Sequence, residues 1–426
     1  MKSYQLMSKD ELQNEYELVV SRYNEFKQRG LALDMSRGKP GSDQLELAMP
    51  ILDVLTSKDA LNAENGFDTR NYGLLDGIGE AKRLFADMLE VLPENILVGG
   101  NSSLNLMYDS IARSMSFGVL GSTPWSKLDK VKFLCPVPGY DRHFAICELF
   151  GIEMINIPMN EFGPDMDMVE KLVSEDDSIK GIWCVPMYAN PTGITYSNEV
   201  VKRFASLSPK ANDFRIYWDN AYCVHHLNNT PDTLLNIFEE AKKNGKEDIV
   251  FEFASTSKIS FSGAGIAVMA ASVNNLNFIR SKLTIQTIGT DKINQLRHVK
   301  FYKNLDGIVE HMKKHQDILE PKFNTVLEIL DKNIAPCNIA TYTKPNGGYF
   351  ISFDTMKGCA KRVGELCKDA GVVLTPVGAT FPYGVDADNS NIRIAPTYPP
   401  VEELQIAMEL FCDCVKLASI EKLLEQ

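Results

Sequence analysis

A lysine follows a short apolar run in Ser255-Thr256-Ser257-Lys258, among small hydroxyl residues. Removed from water, a lysine loses part of its preference for the charged form, and the free amine is a nucleophile able to form imines. Asp219, in Asp219-Asn220-Ala221-Tyr222, ends another apolar run and suits either a cationic ligand or the cap of a following helix. Asn190, in Tyr188-Ala189-Asn190-Pro191-Thr192-Gly193, follows a third; alone, N-P-T-G is a turn signal. Gly99-Gly100-Asn101-Ser102-Ser103 precedes the helical pattern Leu104, Met107, Tyr108, Ile111. Such a segment offers backbone N–H groups and side-chain donors to a phosphate, or simply caps its helix. Arg393, in Asn391-Ile392-Arg393-Ile394-Ala395, puts a guanidinium in an apolar strand, where it needs either a bound anion or an internal salt bridge.

The elements that would position these residues can be read from the apolar pattern. Short apolar runs occur at Ile96-Leu97-Val98, Val131 to Cys135, Ile182 to Val185, Ile216-Tyr217-Trp218, Ile249-Val250-Phe251 and Ile266 to Met269, separated by longer helical or loop stretches. Strands that alternate with helices and are apolar on both faces predict an α/β domain with a mainly parallel sheet flanked by helices. Ligands of such sheets sit outside the carboxyl ends of the strands, where the residues above fall. Ser8 and Glu11 read as a capping box, with Leu12, Tyr16, Val19, Tyr23 and Phe26 on one helical face and Gly30 as the stop. A long amphipathic stretch from about residue 305, the run Gly347 to Phe353 and a helix from about 400 predict a smaller α+β domain. The division expected is 46–304 for the large domain, with 1–45 and 305–426 forming the small one.

Composition sets bounds. The chain has 426 residues, 44% hydrophobic and 23% charged, as in a folded soluble protein of more than one domain. A net charge of −12 argues against a nucleic-acid surface. Nine cysteines without regular spacing fit free thiols in a reducing compartment. With no signal-like N-terminus and no stretch near the roughly 18 apolar residues of a membrane span, a cytoplasmic location and no membrane partner are expected. His311 and His315, four apart with Lys313 and Lys314 between them, read as an exposed helix face rather than a metal site.

The order of these segments resembles the aspartate-aminotransferase superfamily, fold type I among pyridoxal-phosphate enzymes, over nearly the whole chain. The resemblance implies pyridoxal 5'-phosphate as cofactor and Lys258 as the lysine carrying it as a Schiff base. It implies that Asp219 pairs with the pyridinium nitrogen and that Tyr222 and Asn190 donate to the phenolic oxygen. Gly100, Asn101 and Ser102 match the phosphate cradle, with Ser255 a further donor, and Tyr140 of Pro138-Gly139-Tyr140 matches the ring stacked on the pyridine. Tyr72 of Asn71-Tyr72-Gly73 resembles the tyrosine that reaches the neighbouring subunit's phosphate, implying a homodimer with shared sites. Gly38 matches the loop over the substrate, and Arg393 the grip on the α-carboxylate.

The chain departs from the family in one respect. Many members carry a phosphate-binding arginine shortly after the lysine, but Ser260 to Ile266 holds no cation, leaving another basic residue or backbone N–H groups to do its work. With Ser36-Arg37-Gly38-Lys39-Pro40, this run resembles a MocR-like or alanine–glyoxylate-like branch that includes aspartate aminotransferases. The expected reaction is therefore L-aspartate plus 2-oxoglutarate to oxaloacetate plus L-glutamate, by a ping-pong mechanism. The alternatives are another amino donor (alanine, aromatic, 2-aminoadipate) or a β-lyase. A cofactor-sensing regulator would need an added DNA-binding module, for which too few residues precede Gly38. A distal carboxylate requires a second cation, with Lys292, Arg297, Arg37, Lys39 and Arg142 as candidates.

Overall fold

The computed structural model describes residues 2–425. The short strand β1 (Leu33–Asp34) is followed by β2 (Ile96–Val98), β3 (Lys132–Val137), β4 (Glu153–Asn160), β5 (Gly163–Pro164), β6 (Ile179–Cys184), β7 (Arg215–Asp219), β8 (Val250–Ser255) and β9 (Ala267–Ala271). Strands β2 to β9 form one sheet in the order β2-β9-β8-β7-β6-β3-β4-β5. From β4 through β3, β6 and β7 to β8 every pairing is parallel; β9 is antiparallel to both its neighbours, and β5 to β4. The mainly parallel sheet read from the sequence is present, and all six apolar runs are strands. Strand β4 went unforeseen because its residues alternate in burial near a sheet edge, instead of forming a continuous apolar run.

Every residue of β6 and β7 is buried, because side chains leave the sheet on both faces into apolar layers. Ile216 and Trp218 join one layer with Ile182 and Val250, while Tyr217 joins the other with Phe133, Trp183 and Phe253. Side chains inside the sheet are thus fixed by packing, and the first polar residue past each buried run emerges at the carboxyl edge. Asp219 ends β7 and Ser255 ends β8, the adjacent strand.

A third core lies around the strands β10 (Ala340–Tyr342), β11 (Ile351–Thr355) and β13 (Asn391–Ile394), an antiparallel sheet. Strand β12 (Val372–Val373) pairs with β1 and so anchors the segment leading to Gly38. The helix Lys9–Gln28 begins with the capping box: Ser8 Oγ accepts from the Glu11 amide at 3.2 Å, and the Glu11 carboxylate accepts from the Ser8 amide at 2.7 Å. It is tied to the last helix, Val401–Leu424, by the Arg22–Asp413 ion pair at 2.7 Å.

The long helix Leu305–Asn333 corrects one expectation. His311 and His315 are buried, not exposed, while Lys313 and Lys314 face solvent. Residues four apart share a helix face, and this one carries Ile308, Met312 and Leu319 inward. The two Nε2 atoms are 3.1 Å apart; His311 Nε2 meets the Ile259 carbonyl at 2.8 Å, and His315 Nδ1 meets Gln44 at 3.1 Å. The helix thereby packs directly behind the Lys258 segment.

Burial also sets an acid limit on stability. It holds His315 down to about 4, with His311 adding to the effect, and burial likewise holds His298 at about 4. An unfolded histidine titrates near 6.5, so the unfolded chain binds these protons first. The contribution is complete above pH 6.5 and is lost as pH falls towards about 4, at most roughly 3 kcal/mol for each ring. Thermal unfolding is therefore expected to move to lower temperature from pH 7 to 4.5, and less steeply in His315→Gln. An unchanged slope in the variant would remove His315 from this account.

Candidate active site

A cavity of about 240 Å³ opens at the carboxyl edge of the large sheet, at the ends of β7 and β8. Gly38, Ser102, Tyr140, Asn190, Asp219, Tyr222, Ser255 and Lys258 all line it. These residues come to this one place from six separate segments. Among the described residues Lys258 makes no ion pair, and its Nζ lies 5.0 Å from the Tyr222 ring centre and 5.8 Å from that of Tyr349. Burial lowers its pKa, and the nearby Asp219 charge opposes that shift only in part. This favours the free amine. Tyr222 is held well above the ordinary phenol range, first by burial and then by the charges of Tyr140 and Asp219, so it remains a neutral hydrogen-bond donor.

Asp219 caps no helix. Its Oδ2 meets His143 Nε2 at 3.0 Å, while Oδ1 is buried without a partner. The His143 ring in turn stacks on Trp183, 4.4 Å between centres. An orphaned carboxylate oxygen beside a cavity is what a protonated ring nitrogen would satisfy. His143 was not foreseen, although it stands three residues past Tyr140, one turn into the helix Asp141–Leu149. His225 is a second unforeseen residue. It is buried edge-on against Tyr222 and Tyr349, beside the backbone of Lys258.

Hydroxyls and a helix end form the anion side. Ser102 caps the helix Ser103–Phe117 by accepting from the Leu104 amide at 3.2 Å, and that helix's positive end adjoins the cavity. Ser255, Ser257 and Ser262 also line the wall, the last two unforeseen, and Ser255 donates to Ser257 at 3.1 Å. A Cβ built on Gly100 would meet nothing, so the backbone there is open to approach. The Asn101 side chain is engaged by Ser262 O at 3.0 Å and by the Gly265 amide, which leaves its own backbone N–H to offer. Among the described residues, no arginine lines the cavity wall.

Arg393 stands at the edge. Its Nη1 lies 3.3 Å from both Asn190 Oδ1 and Asp141 Oδ1, and its guanidinium sits 4.8 Å over Phe350. A Cβ at Gly38 would fall 2.1 Å from the same Phe350 ring, so only glycine lets that loop close on the ring beneath the arginine. Of the five candidate second cations, Lys39 lines the cavity, its ammonium 4.0 Å over Tyr398. Arg37 and Arg142 are exposed outside the wall, Arg297 is half-buried elsewhere, and Lys292 is buried with its Nζ donating to Thr290 O at 3.2 Å. Tyr72, 78% exposed, is not part of this wall.

Known proteins are similar to this chain. The model of the family described as aspartate amino-transferase matches residues 7–426. The aspartate aminotransferase of Corynebacterium glutamicum is 45% identical over 430 residues, covering 99% of both chains. The crystal structure of an aspartate transaminase from that organism superposes with a TM-score of 0.96 at 44% identity, over 99% of each chain. An α-aminoadipate aminotransferase from Thermus thermophilus, complexed with N-(5'-phosphopyridoxyl)-L-leucine, shares the fold with a TM-score of 0.73 at 19% identity, covering 93% of this chain and 95% of that one.

Proposed function

The chain belongs to the aspartate amino-transferase family, and from that premise we propose that it moves the amino group of L-aspartate to 2-oxoglutarate. The observation that carries the reading is a single cavity holding Lys258 and a half-satisfied Asp219, with Arg393 at its edge and Lys39 in its wall. The protein is an aminotransferase, and its cofactor is pyridoxal phosphate. When bound, that group supplies an aldehyde carbon to receive the amino group and a ring to delocalise charge from the substrate Cα.

The protein's own residues do the rest. Lys258 would hold the cofactor through its side-chain amine and, with that amine freed when substrate takes its place, would serve as the base that moves the Cα proton. Asp219 Oδ1 would keep a proton on the ring nitrogen, while His143 Nε2, 3.0 Å from Oδ2, holds the carboxylate plane. Tyr222 and Asn190 would donate to the phenolic oxygen, and Tyr140 would cover the ring. Ser102, Ser255 and Ser257, with the helix end and the Gly100–Asn101 backbone, would hold the phosphate by hydrogen bonds in place of an arginine. Arg393 grips the α-carboxylate with two parallel bonds and so sets which Cα bond is broken. Lys39 meets the distal carboxylate. Tyr72 reaches across to a second copy in a homodimer.

A panel of amino donors tests the substrate assignment. Aspartate and glutamate are expected to exceed alanine and phenylalanine in kcat/KM by about 100-fold, the scale of one charge-assisted carboxylate contact. Equal turnover of all four would remove the dicarboxylate reading and leave the aminotransferase intact.

A further inference from the structure

A second cavity of about 240 Å³ shares no wall residue with the first. Met88, Met187 and Ile237 give it apolar walls, and two buried polar side chains, Asn220 and Glu252, line it as well. Asn220 is the residue after Asp219. It is 7% exposed, its Nδ2 donates to Glu252 Oε1 at 2.9 Å, and its Oδ1 has no partner. Glu252, 3% exposed, makes no ion pair among the described residues. The other titratable groups in the wall are Glu90, Asp232, Cys223 and His226. Burial pushes the Cys223 thiol up to about 12, and His226 Nδ1 is taken by the Tyr188 hydroxyl at 2.9 Å. The wall is rich in acceptors and has no lysine or arginine.

We infer that this cavity binds a small organic ammonium ion, an alkylamine without a carboxylate. A buried carboxyl and an unpaired amide oxygen ask for a ligand with donors and positive charge, and the apolar walls suit a short alkyl body. A bare metal ion is a poorer fit, because among the described residues no three His, Cys, Asp or Glu side chains are grouped to hold one. Amino acids are turned away by the charges of Glu90 and Asp232. The ligand would also act beside the active site: the Asn220 amide donates to Phe253 O at 2.8 Å, and Trp218 is the register partner of Glu252. A charge held at Glu252 therefore pulls on the turn that carries Asp219.

Burial, with Glu90 adding to it, raises Glu252 to about 8, so the empty cavity is neutral at Glu252 near pH 7 and a cation must displace its proton. Calorimetric titration of the cofactor-loaded protein with diethylammonium chloride tests this; a secondary amine cannot stand in for the primary amine of the reaction. One site per chain is expected, with affinity rising about tenfold from pH 7 to 9 as the carboxyl ionises. Glu252→Gln, which keeps an acceptor for Asn220, should lose at least that factor and the pH dependence, while kcat with aspartate stays within about twofold. Leu235→Phe, which narrows the wall from a half-buried position, should weaken binding too. No binding heat, equal affinity in both variants, or equal competition by potassium would each overturn the inference.

Discussion

Lys258→Ala is expected to lower kcat with aspartate by about 10⁴-fold or more, the upper range for losing a positioned general base, or roughly 5 kcal/mol of barrier. The loss combines two roles. The amine would no longer anchor the cofactor, and among the described residues Lys39 is the one other lysine, arginine or histidine lining the cavity. Lys39 is in the wall, but its ammonium is held over Tyr398. Folding should not suffer, because the substitution removes an amine whose charged form burial already disfavours. An unfolding temperature equal to or above that of the parent is therefore part of the expected result. Borohydride reduction of the loaded parent, followed by peptide mapping, is expected to fix the cofactor to Lys258 and to nothing else in quantity. A label on another lysine, or a variant within 100-fold of the parent, would falsify the assignment of this amine.

Lys258 was legible for a physical reason. Parallel strands buried on both faces read as continuous apolar runs, so the first polar residue past each run marks the sheet's carboxyl edge. That one rule locates Asn190, Asp219 and Ser255–Lys258, and the helix-start chemistry of Gly100–Ser102 adds the anion side. What stayed hidden depends on packing across the chain. His143 matters because stacking on Trp183 aims it at Asp219, and neither contact is local in sequence. His311 and His315 seemed exposed because the lysines between them drew attention to the opposite face of the same helix. The five candidate second cations could not be sorted by type, since only position relative to the cavity separates Lys39 from the others. The hydroxyls of Ser257 and Ser262 line the cavity wall but were not foreseen, because small polar residues give little signal in isolation.

Asp219→Ala should cost about 10³-fold in kcat, the scale of removing one preorganised electrostatic partner from a water-poor site. Asp219 is 3% exposed; Oδ2 meets His143 at 3.0 Å, and Oδ1, with no partner among the described residues, is the oxygen assigned above to the ring nitrogen. Alanine abolishes both. Asp219→Asn keeps the shape and an acceptor but lacks the negative charge that holds a proton on the ring nitrogen, so it should fall nearly as far. Asp219→Glu keeps the charge but must push against His143, which is itself fixed by Trp183, and should fall between the parent and Asn. The split role makes a sharper test through His143→Ala. If His143 acts only by orienting Asp219, its loss costs less than that of Asp219, and in the Asp219→Ala background it costs nothing further. Kinetics of the two single variants and the double variant, at saturating cofactor, measure this directly. Additive losses would mean that His143 works independently of the carboxylate, and an Asp219→Ala rate within tenfold of the parent would remove Asp219 from the chemistry altogether.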